Sequence, residues 1–266
     1  ILRPFDIIQN LIEYLYLNPK ILSITNNLEI LDKKYSLDEL INEILSLKIL
    51  VLLLKITPIT DLKLEKLIKY LRKNILLNII SIKDKEKALE LMGAIASQCF
   101  INEYIYSHEN VELNALTKIK RKIYSNFDQK LYNDNSLLIT CLAAYKSLNL
   151  YKFPIKILDI ECISDLIKNQ ISDPKKEQQL KEELLSTKIE NFISLKVKKQ
   201  YESNPYPRWN KTALTNNPKI PNDFFKSLEL NFENKSIKNW QNVEVLVAGC
   251  GTGQHAITTA TKYANS

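Results

Sequence analysis

Glycine is scarce in this chain, and nearly all of it falls in one place. Of four glycines in 266 residues, three are Gly249, Gly251 and Gly253. Glycine loses more backbone freedom on ordering than any other residue, so the cluster implies a tight turn that something approaches closely. The run before it, Val243 to Ala248, is β-branched and apolar without clean alternation, which predicts a buried parallel strand. Gln254 to Tyr263 follows with helix-compatible composition. Strand, glycine turn and helix start together make a site for an anionic or nucleotide-like ligand, because free N–H groups and the positive end of the helix dipole converge there. Gln254 and His255 open that helix, and His255 reads as a structural residue of the helix start rather than a catalytic base. Catalytic residues remain unassigned at this level, and the residues from Gly251 to Ala256 also fit the dinucleotide spacing G-x-G-x-x-G/A, a weak signal alone.

A second chemically loaded stretch is Gln200 to Trp209, QYESNPYPRW. Each residue before a proline is held extended, so Asn204-Pro205 and Tyr206-Pro207 end the preceding helix and stiffen a strap. Tyr201 and Tyr206 bring hydroxyls and ring faces, and Arg208 a planar fork suited to a carboxylate. Such a strap could cross the mouth of a ligand pocket, or simply tie two domains together through its aromatic residues.

The elements that must position these stretches are mostly helical. Phe5 to Leu17 has helical apolar spacing that stops near Pro19. Ser36 with Glu39 forms a capping-box signature for a helix to about Lys55, whose end from Ile49 to Leu54 is apolar on every side and should lie deep. Asp61 caps a helix carrying Leu64, Leu67, Ile68 and Leu71. Asp84 to Ser107 is the longest uninterrupted pattern, with Gly93, Ala94 and Ala96 favouring close packing. Helices follow over Glu112 to Tyr124 and Ser136 to Leu148, and Pro154 to Ile160 is too short to classify. A charged helix runs from Pro174 to about Tyr201 with Leu180, Leu184, Ile189, Phe192 and Ile193 facing inward. No clean 34-residue period emerges, so an irregular helical domain is expected rather than a repeat array. His108 is expected to help cap the long helix before it, and Glu103, between apolar turns, reads as a helix-face glutamate in water.

Composition excludes several classes. The formal net charge is +7, from 37 basic and 30 acidic residues, but lysines outnumber arginines and no dense basic block occurs, which argues against a nucleic-acid surface. The apolar run Ile49 to Ile56 contains Lys55 and is too short to span a bilayer. Cysteines at 99, 141, 162 and 250 have no metal-ligand spacing, so no metal is expected, and free thiols in a reducing, cytoplasmic setting are the default.

Four stretches resemble a bacterial family of S-adenosylmethionine-dependent methyltransferases that have a long helical N-terminal region, often preceded by tetratricopeptide repeats. They are Pro58 to Leu76 (PITDLKLEKLIKYLRKNIL), Ile95 to Tyr106 (IASQCFINEYIY), Gln200 to Trp209, and Val245 to Ile257 (VLVAGCGTGQHAI). The last is similar to the first motif of class I methyltransferases, except that Val247 stands where an acidic residue is usual; the resembled family also carries an apolar residue there. The resemblance covers roughly residues 50 to 266. With the helical spacing, it leads to the expectation of a mainly α protein: an irregular multi-helix domain over residues 1–195, a linker or strap over 196–240, and from 241 to 266 the first βα unit of a Rossmann-like methyltransferase domain. It further implies S-adenosyl-L-methionine as cofactor, held by Gly249, Gly251, Gly253 and Gln254 with Tyr201 and Arg208. The methyl acceptor, small molecule or protein, is not implied, and the helical region is a candidate surface for a protein partner. A doubly wound sheet needs more strands than this stretch contains, so the chain reads as a fragment, inactive alone. A nicotinamide-dependent oxidoreductase and a non-catalytic helical interaction module are the alternatives.

Overall fold

A computed structural model describes residues 4–125, 132–153, 161–183, 191–203, 209, 218–220, 223 and 244–263. They divide into two compact units, Ile1–Ser186 and Thr187–Ser266. The expected stretch from Pro154 to Ile160, most of the strap including Arg208, and Val243 lie outside the described residues.

The first unit is built from helices α1 (Pro4–Tyr16), α2 (Pro19–Asn26), α3 (Leu31–Lys34), α4 (Leu37–Ser46), α5 (Lys48–Ile56), α6 (Leu62–Leu77), α7 (Lys85–Ile101), α8 (Asn110–Ser125), α9 (Tyr132–Ala143), α10 (Ser164–Ile167) and α11 (Asp173–Glu183). Two starts are set by the capping residues expected, Ser36 and Asp61, and a third is set by Asp84. The Ser36 hydroxyl accepts from the Glu39 amide at 3.3 Å, while Glu39 Oε2 accepts from the Ser36 amide at 2.8 Å. Asp61 and Asp84 accept from the amides of Leu64 and Lys87 at 2.8 and 3.0 Å. Helix α7 is the hub, packed on α4, α5, α6 and α9. Its residues Ala88, Leu91, Met92, Ala94, Ile95, Ala96 and Cys99 are fully enclosed in one continuous apolar core.

Several expectations are corrected here. The single helix expected from Ser36 to Lys55 is two: Leu47 leaves helical geometry with ψ 70°. The Ser46 hydroxyl donates to the Glu43 carbonyl at 2.6 Å, offering the backbone a local alternative to continuing. Nor is its apolar end buried all round, since Leu52 is exposed while Leu50, Val51, Leu53 and Leu54 are enclosed. The pattern expected to reach Ser107 stops at Ile101. Gly93 does not mark a close approach: a Cβ there would meet nothing within 4 Å, and the tight packing falls on Ala94 and Ala96 instead. The long charged helix is broken at the non-helical Asn191; Leu180 on α11 is exposed, and Leu184 and Ile189 lie outside the described residues. Phe192 and Ile193 begin α12 (Phe192–Ser203) in the second unit and are both exposed rather than inward.

In the second unit, α12 is followed by the glycine segment and α13 (Gln254–Lys262). Residues 244–247 have no ladder partner among the described residues, and Leu246 is 92 % exposed. A parallel strand depends on neighbours for its hydrogen bonds, and none of the described residues supplies them. A lone parallel bridge joins Lys219 to Tyr263, with the Lys219 amide donating to the Lys262 carbonyl at 2.9 Å. Mainly α is therefore the architecture of the described residues.

Candidate functional site

The glycine segment folds as its composition demands. Gly249, Gly251 and Gly253 have φ values of +67°, +56° and +83°, in the left-handed region that costs ordinary L-residues about 1–2 kcal/mol each. The Gly253 amide closes a turn onto the Cys250 carbonyl at 3.0 Å, and the Ile257 amide returns to the Gly253 carbonyl at 3.0 Å, starting α13. Glycine is needed here for its dihedral angles rather than for crowding, since a Cβ at Gly249 or Gly253 would meet nothing within 4 Å. Gly251 is exposed, so backbone rather than side chain forms the surface of the turn. Gln254 is half-buried and His255 exposed in the first turn of α13, where amides have no intrahelical acceptor. This is a surface that offers N–H groups and a positive dipole end to a polar ligand.

Of the strap, the structure places Tyr201 and Trp209. Tyr201 is exposed on the last turn of α12. The Trp209 indole N–H donates to the Thr252 hydroxyl at 3.1 Å. The residue that ends the proline strap thus touches the middle of the glycine turn. Val247, in the position of the usual acid, is half-buried and adds no charge.

A second convergence lies wholly inside the helical unit, and sequence reasoning missed its main members. Arg72 on α6 is 1 % exposed and Glu112 on α8 is 3 % exposed. Arg72 Nη2 donates to the Ser107 carbonyl at 2.7 Å and lies 3.7 Å from Glu112 Oε1. Its guanidinium carbon sits 4.1 Å from the centre of the Tyr145 ring, a cation–π stack. The Tyr145 hydroxyl donates to Glu112 Oε1 at 2.5 Å, and Glu112 Oε2 accepts the Glu109 amide at 2.6 Å, three residues back. Burial, with the Glu112 hydrogen bond next in weight, pushes the Tyr145 hydroxyl well above its ordinary range. Arg72 Nη1 also lies 4.0 Å from Cys99 Sγ. Burial pushes that thiol up to about 11 despite the opposing guanidinium, and burial alone pushes Cys141 up to about 12. Both are inert core thiols, whereas Cys162 and Cys250 are free and exposed. A clue to Arg72 was its spacing: it falls between Ile68 and Ile75 on the stripe that α6 buries. Glu112 likewise shares a face with Ile119 and Ile123.

The corner after α7 corrects two readings. Glu103 and Tyr104 have φ of +59° and +58°. The Tyr104 amide donates to the Cys99 carbonyl at 2.8 Å and the Glu103 amide to the Phe100 carbonyl at 3.3 Å, a Schellman ending with glutamate where glycine is usual. Glu103 is therefore half-buried in a left-handed corner, not a helix-face residue in water. His108 lies seven residues beyond the end of α7 and caps nothing there; its ring meets Tyr145 edge-on at 6.3 Å.

The stretches that carry the family resemblance meet in pairs. Gln98 Oε1 accepts the Ile59 amide at 3.1 Å and its Nε2 donates to the Thr57 carbonyl at 3.0 Å, joining Pro58 to Leu76 with Ile95 to Tyr106. Arg72 and Cys99 join the same two stretches, and Trp209 and Thr252 join the other two. Comparison with models of known families, with curated proteins and with solved structures returns no match. Among the described residues, no three His, Cys, Asp or Glu side chains gather as a metal site, and no helix is long and apolar enough to cross a membrane.

Proposed function

We propose that the protein is an S-adenosylmethionine-dependent methyltransferase whose cofactor lies against the glycine turn, within a Rossmann-like βα unit begun by residues 243–263. The observation that carries this reading is the run of three left-handed glycines leading directly into the start of α13. The residues present suit such a cofactor. The turn presents backbone, space is open beside Gly249 and Gly253, and first-turn amides face any carboxylate or hydroxyl brought there. Gly249, Gly251, Gly253 and Gln254 would hold the methionine end, with Tyr201 supplying a ring or hydroxyl. Arg208 would take the cofactor's carboxylate, replacing the charge complementarity that an acid at Val247 would arrange differently.

When bound, the cofactor supplies a methyl group on a sulfonium, already activated for transfer. The chain's own task is then to orient donor and acceptor in line and keep water away, which needs no acid–base triad. The test is calorimetric titration of the full-length protein with S-adenosylmethionine and, separately, with a nicotinamide dinucleotide. Micromolar affinity for the first alone is the expected result. Binding of the dinucleotide instead would make the protein an oxidoreductase, and binding of neither would leave a helical interaction module.

A further inference from the structure

We propose that Trp209 is a positioning residue for the glycine turn, holding the conformation of the cofactor cradle through Thr252. This rests on the reading of that turn as a cofactor site. The turn is made of residues with wide conformational freedom: Gly249, Gly251 and Gly253 alternate with Cys250 and Thr252. Glycine permits the left-handed geometry but does not enforce it, because it populates positive and negative φ about equally. Something outside the turn must select the conformation. Thr252 is the residue between the last two glycines, and its half-buried hydroxyl receives the Trp209 indole N–H at 3.1 Å. Indole nitrogen is a donor only, so the contact has a single sense: Trp209 gives and Thr252 receives. Thr252 is also β-branched and stiff at χ1, so fixing its hydroxyl restrains the backbone on either side. The internal bond from the Gly253 amide to the Cys250 carbonyl, 3.0 Å, spans this same residue.

The role separates from simple packing because it resides in one N–H and one hydroxyl. In the full-length protein, Trp209→Phe keeps an aromatic ring and removes the donor, while Thr252→Val keeps the shape and removes the acceptor. Each is expected to speed amide hydrogen exchange across residues 249–254 in the absence of ligand. Each is also expected to weaken S-adenosylmethionine binding about two- to tenfold, the equivalent of one net hydrogen bond. The double variant should lose no more than Thr252→Val alone, which already removes the acceptor of the Trp209 N–H, and Thr252→Ser, which keeps the hydroxyl without the β-branch, should lie nearer the unsubstituted protein than Thr252→Val does. Unchanged exchange in both single variants overturns the proposal, as does loss in the double variant equal to the sum of the singles. If the unsubstituted protein fails to bind S-adenosylmethionine, the functional reading falls, and the exchange rates still decide whether Trp209 holds the turn.

Discussion

Two corners of this molecule turn through the same left-handed region of backbone space and are built in opposite ways. After α7, Glu103 and Tyr104 occupy it with ordinary side chains; after residue 248, Gly249, Gly251 and Gly253 occupy it with none. The first corner is strained by about 1–2 kcal/mol per residue and is held by a buried surround: Tyr106, Arg72 and Cys99 are all enclosed. The second has no intrinsic strain and an exposed Gly251. Strain is sustained where tertiary packing over-determines the backbone, while glycine is placed where the backbone itself must stay available. The difference separates a corner closed by packing from one that leaves its backbone open.

The comparison can be broken most forcefully at the buried pair beside the first corner. Glu112→Ala would leave the Arg72 guanidinium enclosed without its carboxylate and deprive Tyr145 of its acceptor. A loss of about 3–5 kcal/mol is expected in urea unfolding. Replacing both Arg72 and Glu112 by apolar residues of similar volume should cost less than Glu112→Ala alone. If the single substitution costs under about 1 kcal/mol, the network does not support the corner.

At the second corner the large effect should appear in binding instead. Gly251→Val places a β-branched side chain at φ +56° on the exposed face of the turn. Affinity for S-adenosylmethionine in the full-length protein should fall by more than about a hundredfold, roughly 2.7 kcal/mol, while the thermal midpoint falls only by the few degrees that about 1–2 kcal/mol of backbone strain implies. Retained affinity would remove the turn from the site.

A finer contrast tests strain directly. Glu103→Gly and Glu103→Ala both delete the carboxylate, but only the first relieves a left-handed φ. The glycine variant should be the more stable by about 1 kcal/mol in denaturant titration. Equal stabilities would mean that the corner relaxes out of the left-handed region once the glutamate is gone.

The smallest effect belongs to the remaining glycine, which lies inside α7 with nothing within 4 Å of a built Cβ. Gly93→Ala should stabilise the helical unit by about 0.5–1 kcal/mol. Destabilisation in a thermal melt would show that α7 needs the glycine for a neighbour's approach.

Local chemistry explains why some of this was readable from residue order alone. The caps at Ser36 and Asp61, the buried stripe Leu64, Leu67, Ile68 and Leu71, and the left-handed geometry of Gly249, Gly251 and Gly253 all depend on interactions within a few residues. Propensity and periodicity report such interactions faithfully. The end of α7 was not readable, because the apolar pattern continues past Ile101 while the chain turns away through two non-glycine residues. The amides of Glu103 and Tyr104 return to the Phe100 and Cys99 carbonyls, and a few residues on, Arg72 from α6 takes the Ser107 carbonyl, a partner that residue order does not reveal. The exposure of Leu52 and Phe192 likewise depended on which neighbours arrived. Arg72 looks like a surface arginine until its partners, 27 to 73 positions away in sequence, surround it. The same holds for Trp209, whose indole finds Thr252 across 43 residues. Sequence spacing encodes what a residue does to its own turn of backbone; which distant group it meets is settled when the chain closes on itself.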